Sequence, residues 1–110
     1  MPKYMSIWRV NPAQWPTDPT EAAQLNEGCF AFYDEALKSG QVLEVGFFAD
    51  GSSGYVIRTA EDAKGAFAGA FGNFPWMLVE VHEVIDYETG KGIARQVMKA
   101  QAEQMAATKR

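Results

Sequence analysis

The fold of this chain is best inferred from one apolar stretch, Phe74–Ile85, with the sequence FPWMLVEVHEVI. From Met77 onward its side chains follow the two-residue period of a β-strand. The two faces of the predicted strand carry Met77, Val79, Val81 and Ile85 on one side and Leu78, Glu80, His82 and Val84 on the other. Because the second face holds the only histidine of the chain beside a glutamate, it is the first place to look for chemistry.

Composition limits the class of protein. The chain has 110 residues, 47% of them hydrophobic and 13% aromatic, which is enough for one domain with a core and excludes a disordered chain. Its net charge is −4 and no basic cluster precedes the C-terminal segment, so we expect no nucleic-acid partner. Without a signal peptide or a long apolar run, we expect a cytoplasmic protein that does not bind membranes. The single cysteine, Cys29, is expected to be a small buried hydrophobe.

The first half of the chain predicts a strand, a helix and a hairpin. Residues 4–10 alternate as a strand with both faces largely apolar. A helix should begin with Asp18 as its N-cap and Pro19 at its first position, and should end at Gly40. Strands are then predicted over 42–49 and 55–58, joined by the turn Asp50–Gly54.

The second half predicts a helix, the strand quoted above and a further helix. Thr59 is expected to cap a helix with a stripe of alanine and phenylalanine, which ends at Gly72 and Asn73. The last helix, over 91–110, has a thin apolar stripe and a basic charge, so it should be stable mainly by packing on something, with a partner subunit as the preferred candidate. We therefore divide the chain into one domain, 1–90, and a helical extension, 91–110.

This order of elements predicts an α+β fold of the ferredoxin-like βαββαβ type. Such a fold has a four-stranded antiparallel sheet with two helices on one face, here followed by an extra C-terminal helix. The other face would carry Trp8, Phe48, Val56 and Leu78, and an exposed apolar patch of that size is rare on monomers. We expect a homodimer in which two sheets meet face to face and enclose a cavity.

Two stretches resemble a known family, the dimeric α/β-barrel proteins. Lys3–Trp8 (KYMSIW) opens directly into the first strand, and Phe74–Val81 (FPWMLVEV) resembles the phenylalanine-proline-aromatic start of the last strand in the muconolactone isomerase-like group and its small uncharacterised relatives. The resemblance implies a dimeric α/β barrel. The superfamily includes isomerases, cofactor-free monooxygenases, haem-binding enzymes and ligand-binding domains of regulators, so it implies no single activity. The helix over 91–110 departs from the short isomerase pattern.

The alternation of the four strands predicts which side chains face the enclosed cavity. We expect the helices to cover Met5, Ile7, Leu43, Val45, Phe47, Tyr55, Ile57, Val79 and Val81, and the cavity to receive Tyr4, Ser6, Trp8, Glu44, Phe48, Val56, Arg58, Glu80 and His82. In that cavity His82 is the predicted general acid or base, with Glu80 as its partner or as the base itself. The predicted ligand-binding residues are Arg58, for a substrate carboxylate, and Trp8, Tyr4, Phe48 and Glu44.

Two classes of function fit these residues. The first is an enzyme that moves a proton on a small, hydrophobic, carboxylate-bearing metabolite in the manner of an isomerase. The alternatives are a non-catalytic dimeric module that binds a small molecule, and a cofactor-free monooxygenase. We expect no cofactor and no metal, since haem-binding members of the superfamily generally take their axial histidine from outside the sheet. Glu80, His82 and Glu83 could equally be solvated residues that discourage edge pairing, or a hydrogen-bonded set at the dimer interface.

Overall fold

The computed structural model describes residues 1–108, which form four strands and three helices. In chain order the elements are β1 Lys3–Val10, α1 Pro19–Ser39, β2 Val42–Phe47, β3 Ser53–Thr59, α2 Ala63–Phe71, β4 Met77–Val84 and α3 Tyr87–Thr108. The strands form one antiparallel sheet in the order β2-β3-β1-β4. The predicted α+β class and its four-stranded sheet are confirmed, and the arrangement is consistent with a ferredoxin-like fold. The last two residues of the helix predicted over 91–110 lie outside the described residues.

The capping residues of α1 are those that the sequence predicts. The Asp18 carboxylate accepts a hydrogen bond from the Thr20 backbone N–H at 2.8 Å, and Pro19 takes the first helical position. At the other end Gly40 adopts a left-handed conformation with φ of 79° and donates its N–H to the Leu37 carbonyl. Glycine takes this conformation without the penalty that a Cβ would impose. The 21-residue helix therefore begins and ends where local chemistry places it.

The other two helices begin at different residues from those predicted. Thr59, the expected cap of α2, is the last residue of β3 and pairs with Lys3, so it cannot also start a helix. Asp62 caps α2 instead and accepts the Gly65 N–H at 2.9 Å. Likewise α3 begins at Tyr87 rather than at 91, because the Asp86 carboxylate accepts the Thr89 N–H at 3.0 Å. In both places the side chain of an aspartate caps the helix, so the helix begins at a residue other than the expected one.

The predicted hairpin joins β2 to β3, and Asp50 holds its turn. The Asp50 carboxylate accepts hydrogen bonds from the backbone N–H groups of Ser52 and Ser53 and from the Ser53 hydroxyl. The Ser53 hydroxyl bond contributes most to lowering the pKa of Asp50. A bulge between Val42 and Glu44 leaves Leu43 exposed at 49%, so its predicted burial under the helices is wrong.

The helices cover the opposite face of β1 and β3 from the one predicted. Tyr4, Ser6 and Trp8 are buried on the helix side, together with Val56. Directly opposite residues of antiparallel strands share a face, and the register places Met5 opposite His82 and Ile7 opposite Glu80. Because Glu80 and His82 of β4 point away from the helices, Met5 and Ile7 opposite them lie on that same face. The predicted cavity face was therefore assembled from both sides of the sheet.

The assignment is right for β4 and for Val45 of β2, whereas Phe47 lies on the helix side but is 68% exposed, so its predicted burial is wrong. Val45, Val79 and Val81 pack on the helix side, where Phe47 also meets Trp8 edge-on with ring centroids 5.8 Å apart. The face without helices, which we call the open face, carries two kinds of residue. The apolar or aromatic ones are Met5, Ile7, Phe48, Tyr55, Ile57, Leu78 and Val84, and the ionisable ones are Lys3, Arg9, Glu44, Glu80 and His82.

The C-terminal helix α3 projects from this body. None of its described residues is buried, and the longest dimension of the molecule is 72 Å. The radius of gyration is 19.7 Å, against about 13 Å for a compact chain of this length. Within residues 1–108, no helix combines the length and the apolarity needed to cross a membrane.

Candidate functional site

The helices do not seal the inner face of the sheet but leave a helix-side cleft between it and α1 and α2. The cleft has a small polar part, which we call the Arg58 pocket, and a large apolar part, which we call the α1 chamber. The two parts share Trp8 and Tyr33 as common walls. A single molecule lying in the cleft would therefore meet a polar end and an apolar end.

Arg58 reaches the polar end from β3. Its guanidinium lies directly against the backbone of α2 at Gly69, where any Cβ would overlap it. Its Nε is fully buried, and no group among residues 1–108 accepts a hydrogen bond from it. A buried donor without an acceptor carries a desolvation cost of about 1–3 kcal/mol, more when the group is charged. The pocket beside it has a volume of about 20 Å³, enough for one water molecule or one carboxylate oxygen.

Tyr33 and Asn73 form a second polar feature of the same pocket. The Asn73 side-chain amide donates a hydrogen bond to the Tyr33 hydroxyl oxygen at 3.1 Å. Burial raises the pKa of Tyr33, so the phenol stays protonated at neutral pH. Because the hydroxyl accepts from Asn73, it keeps its own proton to donate elsewhere.

The α1 chamber is much larger, at about 580 Å³. This lies within the size range of small-molecule sites, which are mostly apolar with a few placed polar groups. Its walls include Trp15, Cys29, Phe30, Phe47 and Met77. Burial raises the pKa of the Cys29 thiol, which disfavours the nucleophilic thiolate and agrees with the role expected of a small hydrophobe.

The pair predicted to be catalytic lies on the open face. His82 Nε2 is 2.9 Å from Glu80 Oε2, and the two side chains are 58% and 52% exposed. Glu44 shares this face and, through a hydrogen bond, raises the pKa of Tyr55. The sheet separates His82 and Glu80 from Arg58, so the three cannot act on one small molecule within one subunit.

Only part of the predicted site is brought together. Arg58 and Trp8 line the helix-side cleft, whereas Glu44, Phe48, Glu80 and His82 lie across the sheet on the open face. Tyr4 packs in a separate core cluster with Ala60 and Ala66. Sequence reasoning did not single out Tyr33, Gly69 or Asn73. A tyrosine within the apolar stripe of α1 was the available signal, since a buried tyrosine hydroxyl usually has a polar partner.

Neither metal chemistry nor known relatives add to this site. Within the described chain, no three His, Cys, Asp or Glu side chains converge as metal ligands. No protein-family model matches the chain, and no curated protein matches it. The resemblance to dimeric α/β-barrel proteins therefore stays a prediction, and the function has to be argued from the cleft and the open face themselves.

Proposed function

We propose that the protein binds a small, largely apolar carboxylate in the helix-side cleft, with Arg58 as the anchor. The observation that supports this most is the buried Arg58 Nε, which has no acceptor among residues 1–108 although it lines a pocket. One oxygen of a carboxylate would fit this pocket and supply that acceptor, through a charge-assisted hydrogen bond that is stronger than one between neutral groups. The apolar walls next to Arg58 would take the rest of the ligand.

Replacing Arg58 tests this proposal directly. Octanoate should bind wild-type protein more tightly than octan-1-ol, which has the same chain without the charge. In Arg58→Gln the octanoate affinity should fall by about tenfold to a hundredfold, because hydrogen bonds to charged groups contribute roughly 1.5–3 kcal/mol. Isothermal titration calorimetry measures both ligands.

The control for this experiment is Arg9→Gln. Arg9 is an exposed arginine on β1, outside the lining of the cleft. Arg9→Gln removes one positive charge from the protein, as Arg58→Gln does, but leaves the cleft intact. The affinity of this variant for octanoate should therefore equal that of wild type. Equal affinities of octanoate for wild type and Arg58→Gln would refute the anchor.

We further propose that the open face is covered by a second copy of the chain, in a homodimer of the α/β-barrel kind. The face carries apolar side chains from β1, β3 and β4, including Ile7, Tyr55, Ile57 and Leu78, and from Phe48 just after β2. A contiguous apolar surface of this kind is usually an interface. The tests below treat the dimer separately from ligand binding.

The same dimer offers a place for α3. Residues 87–110 carry five Lys or Arg and two Asp or Glu, whereas residues 1–86 carry five and twelve. Residues 87–110 therefore carry a net charge of +3 and residues 1–86 a net charge of −7, so this C-terminal segment is attracted to the acidic body of a partner. Its exposed apolar residues Ile93, Val97 and Met105 would gain burial there.

We expect Ile57→Asp to dissociate the dimer. The new carboxylate would be buried without a partner at the centre of the interface, which is strongly unfavourable. Light scattering after gel filtration should give twice the chain mass of 12.1 kDa for wild type and a single chain mass for the variant. Phe67→Asp, on an exposed part of α2, should remain dimeric. A monomeric wild type would contradict the dimer.

A second candidate function is proton transfer by His82 and Glu80, favoured by their 2.9 Å contact. A carboxylate next to an imidazole can orient it as a general base. The probe is 3-octenoate in deuterated water, with NMR detection of deuterium uptake at C2. His82→Ala and Glu80→Gln should each abolish uptake, and Arg58→Gln should not, because Arg58 lies across the sheet. Undiminished uptake in both open-face variants would exclude this function.

A further inference from the structure

We propose that the ligand of the helix-side cleft is an extended monocarboxylate, with its head between Arg58 and Tyr33 and its tail running past Trp8 into the α1 chamber. This rests on the proposed function and adds to it the shape of the ligand, the number of its charges and the direction in which it lies.

The head position follows from two donors in one pocket. Arg58 and Tyr33 both line the Arg58 pocket, and each has a donor that no described residue is shown to occupy: the Arg58 Nε–H and the Tyr33 O–H. The pocket has room for one carboxylate oxygen, and that oxygen has two lone pairs, so it can accept from both donors. Asn73 is then a positioning residue, since its amide holds the Tyr33 oxygen and leaves the phenol proton for the ligand.

The tail position follows from the size and the walls of the α1 chamber. A cavity of about 150 Å³ accommodates a benzene molecule, so the chamber of about 580 Å³ could hold an apolar group several times larger. Trp8 and Tyr33 border both spaces, so a chain leaving the head group can pass directly into the chamber. A compact acid such as acetate would leave the chamber unused.

A single charge is favoured because the far part of the cleft offers no counterpart to Arg58. The walls there are mainly apolar, and the charged side chain that lines the chamber is Asp34, an exposed carboxylate on α1. A second carboxylate at the tail end would meet apolar walls and a like charge, both unfavourable. Dicarboxylates should therefore bind more weakly than monocarboxylates of the same length.

A series of acids tests the length and the charge together. Calorimetric titrations of wild-type protein use acetate, hexanoate, decanoate and decanedioate. Burial of each methylene can strengthen binding by at most about fourfold, so the affinity for decanoate, with four more methylenes, should exceed that for hexanoate by up to roughly two-hundredfold. Decanedioate should bind at least about tenfold more weakly than decanoate.

Two matched variants locate the tail. Phe30 lines the chamber and is 42% exposed, and Phe67 lies on α2 outside it and is 59% exposed. Because both side chains are exposed, a charged replacement at either position should leave the protein folded. Phe30→Asp should flatten the dependence of affinity on chain length, and Phe67→Asp should leave it unchanged. Tyr33→Phe, which removes only the hydroxyl, should lower the affinity for decanoate by about tenfold and leave the affinity for decan-1-ol unchanged.

The outcomes separate this inference from the proposed function. If all the acids bind equally and Arg58→Gln abolishes their binding, the anchor stands and the extended tail is refuted. If decanoate and decan-1-ol bind equally to wild type and to Arg58→Gln, the carboxylate anchor itself is refuted. A length dependence that survives in Phe30→Asp would show that the tail lies outside the α1 chamber, which also overturns the inference.

Discussion

Replacement of Trp8 by alanine should unfold the protein or bring it to the edge of unfolding. Trp8 is 9% exposed and lies in the core cluster with Ala36, Val42, Val56 and Met77, packed on α1 and both neighbouring strands. Truncation of a buried tryptophan costs about 3–5 kcal/mol. The total stability of a domain is only about 5–15 kcal/mol. Urea denaturation followed by circular dichroism measures the loss.

The matched control is Trp76→Ala. Trp76 precedes β4 and is 39% exposed, so less apolar surface returns to water when it is truncated. Its midpoint of denaturation should fall much less than that of Trp8→Ala. Equal losses at the two positions would contradict the placement of Trp8 at the centre of the core.

The order of the elements was predictable from the sequence because local chemistry determines it. Asp18, Pro19 and Gly40 mark the ends of α1 through hydrogen bonds that close within a few residues. The turn at Asp50 is equally local. Such signals do not depend on tertiary contacts, so they can be recognised in the sequence alone.

Which face of each strand packs against the helices could not be predicted from local signals in the same way. Both faces of β1 are largely apolar, so alternation alone does not say which side meets the helices. The cross-strand register decides it: His82 opposite Met5 and Glu80 opposite Ile7 place the apolar pair on the open face. A shift of one residue exchanges every side chain of a strand between the faces. The predicted site consequently mixed residues from two sides of the sheet.

The polar end of the cleft was missed for a related reason. The residues expected under the helices are almost all apolar, yet the covered face holds Ser6 and Arg58, because α1 and α2 leave a cleft. Tyr33 and Asn73 are forty residues apart and meet only in the folded chain. No periodicity within α1 could have paired them.

Gly69→Ala should strongly weaken carboxylate binding while the protein stays folded. A Cβ at this position would overlap the Arg58 guanidinium, and the flexible end of the arginine can move aside more easily than the helix backbone. The anchor would then leave its position against α2. We expect the octanoate affinity to fall about as far as in Arg58→Gln, by about tenfold to a hundredfold. The affinity for octan-1-ol should be unchanged.

The same substitution in α1 provides the control. Gly28 lies in the middle of that helix, and a Cβ there would meet no heavy atom within 4 Å. Gly28→Ala should therefore stabilise the protein by up to about 1 kcal/mol through helix propensity alone, and octanoate should bind as it does to wild type.

A comparison of the two alanine variants separates loss of the anchor from general damage. Gly69→Ala gains the same helix propensity as Gly28→Ala, so its thermal midpoint should stay close to that of wild type even as binding is lost. The double variant Gly69→Ala/Arg58→Gln should bind octanoate no more weakly than either single variant, because both remove one interaction. Additive losses would mean that Gly69 acts on the cleft by a route other than Arg58.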